Sequence, residues 1–250
     1  MKYYFSALGL EEDSGDAMLE LPSPFLSENF LIRRVPLATR YSQRPASLAP
    51  IADAIAAMAD AHTGNYIACF PSYAYLRAAA VEFKRRHADV DVIEQRPGMT
   101  DAQRDAFLAK FKASPARSMV AFITMGGVFS EGVDLPGKCL IGAVIVGVGM
   151  PGLSSMRNIM REYYDETREG EGYAYAYTYP GMNRVLQAAG RVIRTPEDRG
   201  AVVLLDDRYT AAPYRQLFPP HWADLCAVGD PLSLAERLRR FWGGDAPGDS

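Results

Sequence analysis

Cysteine is scarce in this chain: Cys69, Cys139 and Cys226 are the only three in 250 residues, far apart and with no CxxC pair. An odd, scattered set argues against a disulfide framework, and against a zinc or iron–sulfur site built from this chain alone. Free thiols in a reducing compartment are the simpler reading. Charge of one sign is lacking too, with 27 Lys and Arg against 30 Asp and Glu and a net charge of −3. A polyanionic partner therefore has to be held by a local groove and not by a global basic field. No apolar run reaches the roughly 20 residues needed to span a bilayer. The best, 140–148, is short and broken by glycine, and reads as a buried strand. The opening MKYYFSALGLEEDSGD has neither the apolar core nor the cleavage site of a signal peptide. Internal repeats and a clear linker are absent as well.

What is present is an alternation. A lead-in, 1–47, carries few regular signals beyond a possible strand at 30–35, and a helix follows over 48–61 with Ile51, Ile55 and Met58 on one face. The run YIACF, 66–70, reads as a buried strand, and Ser72 is placed to cap the next helix, on which Leu76, Ala80 and Phe83 fall at helical spacing. Further strands are expected at 90–94, 119–124, 140–146 and 201–205. Thr100 and Gln103 spell a capping box between the first two of these. Helices are expected over 153–168 and 181–194, and a last one begins at Asp230 and Pro231. Apolar strands alternating with helices imply a parallel sheet covered on both faces, with chemistry at the carboxyl ends of the strands. The expected fold class is thus α/β: one domain over 48–242, a helical insertion at about 150–180, and a disordered tail at 243–250.

The most informative segment is NRVLQAAGRVIR, 183–194. On a helix at 100° per residue, Met182, Val185, Leu186, Ala189, Val192 and Ile193 share one side, while Arg184, Gln187, Arg191 and Arg194 form a stripe on the other. Guanidinium groups in such a stripe suit phosphate oxygens. Gly190 lies between the faces at a cost in helix stability, which points to close approach by another backbone or a ligand.

The spacing Q-x-x-G-R-x-x-R, here Gln187, Gly190, Arg191 and Arg194, resembles motif VI of superfamily 2 helicases. The strand AVVLL and the following Asp206, Asp207, Arg208 and Tyr209 resemble the D-x-R and aromatic that the XPD/DinG branch has at this place. GVFSEGVDLPG, 127–137, is similar to the motif V of that branch, with Gly127, Glu131, Gly132 and Asp134 at matching positions. CFPSYAYL, 69–76, resembles its motif IV, with Phe70, Ser72 and Tyr73 at a strand end. The four features come in the family's order and cover most of the chain.

The resemblance implies the second RecA-like domain of an XPD/DinG-type DNA helicase, with a P-loop-NTPase-type sheet. It implies Arg191 and Arg194, with Gln187, as the groups that reach ATP and its Mg2+ held on a first RecA-like domain. Gly127, Glu131, Gly132, Asp134 and Gly190 would line the nucleotide. Phe70, Ser72, Tyr73 and Thr124 would touch single-stranded or forked DNA, although packing at a helix cap explains Tyr73 equally well. Asp206, Arg208 and Arg184 would support the site; Arg184 departs from members that carry the arginine one residue earlier. Further expectations are 5′-to-3′ travel, a cytoplasmic or otherwise intracellular setting with DNA, no membrane, and in many members an iron–sulfur cluster outside this chain. Because the sequence shows no phosphate-cradling loop and no Mg2+ ligands, the chain reads as part of a larger protein or a split subunit, inactive as an ATPase alone.

Three look-alikes need weighing. Gly132 to Cys139 spells G-x-x-x-x-G-K-C, but a Walker A loop needs Ser or Thr at the end and a helix after it. VLLDD, 203–207, resembles a Walker B strand without a Walker A partner. Gly147, Gly149 and Gly152 spell G-x-G-x-x-G between a strand and a helix, so a dinucleotide-binding enzyme stands as a rival. A non-catalytic nucleic-acid-binding module of the same fold is the other alternative.

Overall fold

A computed structural model describes residues 3–4, 8–10, 19, 21–127, 129, 137–222 and 225–243. The tail from 244, and Glu131, Gly132 and Asp134 of the motif V segment, lie outside the described residues.

The described strands form one seven-stranded sheet in the order β3-β4-β2-β5-β6-β1-β7, every pairing parallel. They are β1 (Phe30–Val35), β2 (Asn65–Phe70), β3 (Asp91–Glu94), β4 (Met119–Thr124), β5 (Gly142–Val146), β6 (Gly200–Leu205) and β7 (Cys226–Ala227). Six of the seven lie where apolar runs place them. The two-residue β7 was not anticipated, because two residues carry no periodicity; it pairs with Arg33 and Arg34 of β1. β1 itself is an interior strand between β6 and β7, so the lead-in contributes to the sheet from Phe30 onward.

Two cores sit against the two faces, and the strands alternate between them with the period of two that a pleated strand imposes. Tyr66, Ala68 and Phe70 join one core, with Val120, Phe122, Val144 and Val203. Ile67 and Cys69 join the other, with Ala121, Ile123, Ile145 and Val202. The first face is covered by α1 (Arg44–Ala61), α2 (Tyr73–Arg86) and α7 (Pro231–Gly243). α1 starts four residues ahead of the expected 48, with a proline in its first turn and Pro50 inside it. Ser72 caps α2 by accepting from the Tyr75 amide. The second face receives α3 (Asp101–Leu108), capped by the expected Thr100–Gln103 box, and α5 (Tyr179–Ala189).

Between them, α4 (Ser155–Thr167) and a π-helix at Ala174–Thr178 occupy the stretch expected to be a helical insertion. The π-helix runs directly into α5. A single turn, α6 (Ala212–Arg215), follows β6. Among the described residues no helix is long and apolar enough to cross a membrane.

The helix expected over 181–194 is shorter than that. α5 ends at Ala189 with Gly190 as its C-cap, and the amides of Arg191 and Val192 fold back onto the carbonyls of Ala188 and Ala189 in three-residue turns. Val192 and Ile193 are buried by this turn, not by a continuing helix. That is why the apolar pattern mimicked a longer one. Among the described residues no second backbone approaches Gly190: a Cβ there would meet the Leu186 and Gln187 carbonyls of its own helix.

The tight approach is made elsewhere. Gly149 has φ +64°, and a Cβ built on it would stand 2.5 Å from the Gly181 carbonyl oxygen. The glycine loop after β5 thus lies directly on the start of α5. Gly149→Ala combines left-handed strain with that overlap and is expected to cost about 2–4 kcal/mol, read by equilibrium urea unfolding. A loss below about 0.5 kcal/mol, the scatter of ordinary surface substitutions, would show that the loop and helix separate easily.

Candidate functional site

Because every strand runs the same way, the ends of β1 to β6 come out along one edge of the sheet. The residues there fall into two hydrogen-bonded clusters. The first joins the ends of β3, β4 and β2 through Gln95, a residue sequence reasoning did not single out. Gln95 accepts at Oε1 from the Thr124 amide (2.8 Å) and hydroxyl (3.1 Å), and donates from Nε2 to the Tyr73 hydroxyl (3.0 Å). Gln95 is buried, so its amide group has to find these partners. Gly127 closes the cluster: a Cβ on it would stand 2.8 Å from Thr124 Oγ1 and 3.3 Å from Gln95 Nε2. Its lack of a side chain is thus used by protein neighbours, where the sequence suggested room for a phosphate.

Two residues expected to touch nucleic acid are corrected here. Phe70 is 0% exposed and stacks on Phe122 at 5.7 Å between centroids, so it is a core side chain. Thr124 is 7% exposed, with its hydroxyl spent on Gln95. Ser72 and Tyr73 remain half-buried at the rim.

The second cluster lies at the ends of β6 and β1. Asp206, fully buried, accepts from the Arg208 amide, Nε and Nη2, all at 2.8 Å, and from the Thr39 hydroxyl. Burial alone would lower the pKa of the Arg208 guanidinium, but the hydrogen bonds and charge of Asp206 outweigh it and hold the group above its ordinary range. Arg40 pairs with Asp207 at 2.6 Å on the exposed side. Both carboxylates of the Walker B look-alike are therefore held by arginines. Tyr209 donates to the Gly147 carbonyl at 2.7 Å and ties this cluster to the glycine loop.

Arg184 bridges toward the first cluster. Its guanidinium donates to the Gly149 carbonyl (3.4 Å), and its Nε lies 2.7 Å from where a Gly126 Cβ would stand. The other arginines are placed differently. α5 runs back from the carboxyl edge, where Gly181 meets Val148, toward the opposite edge, where Val192 lies against Gly200 at the start of β6. Arg191 and Arg194 are on the turn beyond its end, so the four-residue stripe is not one helical face. Gln187, Gly190 and Arg194 are exposed and Arg191 half-buried. The charge of Arg191 acts on Cys69, whose thiol burial pushes up to about 12. Asp198, also overlooked, shapes the turn by accepting from the amides of Arg194 and Thr195, both at 2.8 Å. Among the described residues no three His, Cys, Asp or Glu side chains gather to hold a metal.

The G-x-G-x-x-G rival is weakened by the same geometry. Gly149 is filled by the α5 backbone, and the next strand after the loop is β6, with α4, the π-helix and α5 in between. In the Walker A look-alike, Gly137–Cys139 is a turn of 3-10 helix that leads into β5, not into a phosphate-binding helix.

Against this geometry, residues 55–224 match the model of the helicase C-terminal domain family. The chain belongs to that family. The match runs from inside α1 to beyond the Pro220–Trp222 turn, and so contains both clusters except Thr39 and Arg40. This helicase C-terminal domain is 28% identical over 196 residues to the ATP-dependent helicase DinG of Mycobacterium tuberculosis, covering 77% of the chain and 28% of that relative. It is 27% identical over 190 residues to the ATP-dependent DNA helicase chl-1 of Caenorhabditis elegans, covering 72% and 22%. The chain thus spans about a quarter of the length of these relatives. An XPD helicase structure superposes with a TM-score of 0.62 at 17% identity, over 80% of this chain and 35% of that one. At that identity the likeness speaks for the RecA-like fold alone.

Two substitutions test the clusters by urea unfolding. Asp206→Ala strands the Arg208 guanidinium and is expected to cost about 3–5 kcal/mol. Gln95→Leu leaves the Thr124 amide and hydroxyl without their acceptor, an expected loss of roughly 1–3 kcal/mol. A neutral result for either would mean water replaces the lost partner.

Proposed function

We propose that this chain is the second motor domain of an ATP-dependent DNA helicase of the XPD/DinG type. Its nucleotide site would be completed by a first RecA-like domain carrying the phosphate-cradling loop and the Mg2+ ligands. The observation that carries the reading is the turn ending α5. It lies within the family match, and there Gln187, Gly190 and Arg194 face solvent with Arg191 beside them. Such a turn can present guanidinium groups across a cleft to a second domain, while Asp198 keeps its backbone in place.

In this reading Arg191 and Arg194 meet the phosphate end of ATP and balance the charge that builds on the transferring phosphoryl group. Gln187 lies one turn earlier, where it can order the attacking water. Hydrolysis of the bound ATP would supply the free energy, and Mg2+ held by the first domain would neutralise phosphate charge. This chain's own residues orient and neutralise. The rim of the carboxyl edge, with Ser72 and Tyr73, takes the sugar–phosphate backbone of single-stranded DNA, Tyr73 held by Gln95 so that its ring is presented at a fixed angle. Arg184, lying between the glycine loops at Gly126 and Gly149, is the link through which a shift of α5 would reach that rim. In this reading travel runs 5′ to 3′, the polarity that the family resemblance implies.

The deciding experiment is single-stranded-DNA-stimulated ATP hydrolysis by this chain joined to its first RecA-like domain, wild type beside Arg194→Ala. Stimulated turnover is expected to fall by about 10³-fold or more with the circular dichroism spectrum unchanged. Stimulated turnover that survives the substitution would remove Arg194 from the mechanism. Salt-dependent DNA binding without any turnover would instead point to a binding module of the same fold.

A further inference from the structure

Behind the arginine-bearing turn lies a cleft of about 230 Å³ that the motor reading leaves unused. One wall is the end of α5 and the turn itself: Leu186, Ala189, Gly190 and Ile193. The rest of the apolar lining comes from the lead-in, through Phe25, Leu26 and Phe30, and from Pro219 and Trp222. The lining is apolar and aromatic. Its polar side-chain atoms come from Ser23, Ser27, His221 and the Trp222 indole, and among the described residues no lining side chain is a lysine, arginine, aspartate or glutamate. Desolvation holds His221 below its ordinary value, so at neutral pH the ring is an uncharged hydrogen-bonding group.

We propose that this cleft binds a small, planar, uncharged aromatic molecule carrying one hydrogen-bonding group, and that its occupant steadies the Gly190–Arg194 turn. The size supports the class: an apolar cavity of about 150 Å³ accommodates benzene, so the larger space has room for a fused bicyclic ring. The aromatic rings of Phe25, Phe30 and Trp222 offer faces and edges for it to pack on. The absence of charged side chains among the described lining residues disfavours an ionic ligand, which would be desolvated without a counter-charge. The second half follows from shared walls. Leu186, Ala189, Gly190 and Ile193 belong both to the cleft and to the family-matched segment that carries Arg191 and Arg194. A ring seated against them opposes any inward collapse or swing of the turn. The importance of that for turnover rests on the motor reading; the binding itself does not.

The probe is indole, titrated into this chain with methyl-labelled leucine and isoleucine and followed by NMR, with no nucleotide or DNA present. Saturable shifts at Leu186 and Ile193 are expected, with a Kd on the order of 1 mM as befits a nine-atom ligand. At ~10 times Kd, amide hydrogen exchange of residues 190–194 is expected to slow by about tenfold, because opening must then compete with binding. Ala189→Met, which fills the space from the helix side, should abolish the shifts. Phe25→Ala, at a half-buried lining residue of the lead-in, should weaken binding severalfold, and decides the matter if the first variant does not fold. The proposal is overturned by an absence of saturable shifts at these two methyls, by an affinity unchanged in the variants, or by binding that leaves exchange at 190–194 untouched. None of these results depends on whether Arg194 takes part in ATP hydrolysis.

Discussion

Burial of both faces of one parallel sheet is the constraint on which the rest depends. A strand with core on each side cannot tolerate a one-residue slip, since a slip would send every side chain to the opposite core. In β2 that means Tyr66, Ala68 and Phe70 against α1 and α2, and Ile67 and Cys69 against α5. Registration of the strands in turn aligns their carboxyl ends, and this brings Gln95, Thr124, Gly147 and Asp206 to one edge from four distant stretches of chain.

The two clusters at that edge are built differently. The Tyr73–Gln95–Thr124 cluster is neutral and held by an amide, a group that can donate and accept at once. The Asp206–Arg208–Thr39 cluster is a charged pair with its carboxylate fully buried. A buried ion pair seldom adds much stability against an apolar alternative, but removal of either partner is costly. Its location, clamping the end of β6 against β1 while Tyr209 reaches the glycine loop, makes it a strut for the segment on which Gly149 and α5 meet.

Much of this was legible in the sequence where local signals and tertiary placement agree. Ser72, Thr100 and Gln103 are caps because their side chains satisfy amides only a few residues away, and such bonds survive any packing. The spacing from Gln187 to Arg194 was readable as a family motif, and the family match spans it. The reading failed where one pattern has two physical causes. Val192 and Ile193 look like the next turn of an amphipathic helix, yet a reversing turn buries them equally well. Phe70 looks like a strand-end aromatic open to a ligand, yet its side chain is packed between Phe122 and Tyr75 in the core. Gln95 and Asp198 gave no local signal, since their partners are set by the packing of other elements or by a turn of no regular period.

By itself the sequence determined the alternation of strands and helices, the α/β class, the helix caps and the motif order that points to a helicase domain. The first three follow from periodicity and capping chemistry, properties of a few consecutive residues, and the last from a resemblance to a known family. Tertiary structure alone decided the strand order, the burial of Phe70 and Thr124, the role of Gln95 as the hub between three strands, and the placement of Arg191 and Arg194 beyond the end of α5. Each of those depends on which distant groups exclude water from one another, and a side chain's neighbours across a sheet are not written in its neighbours along the chain.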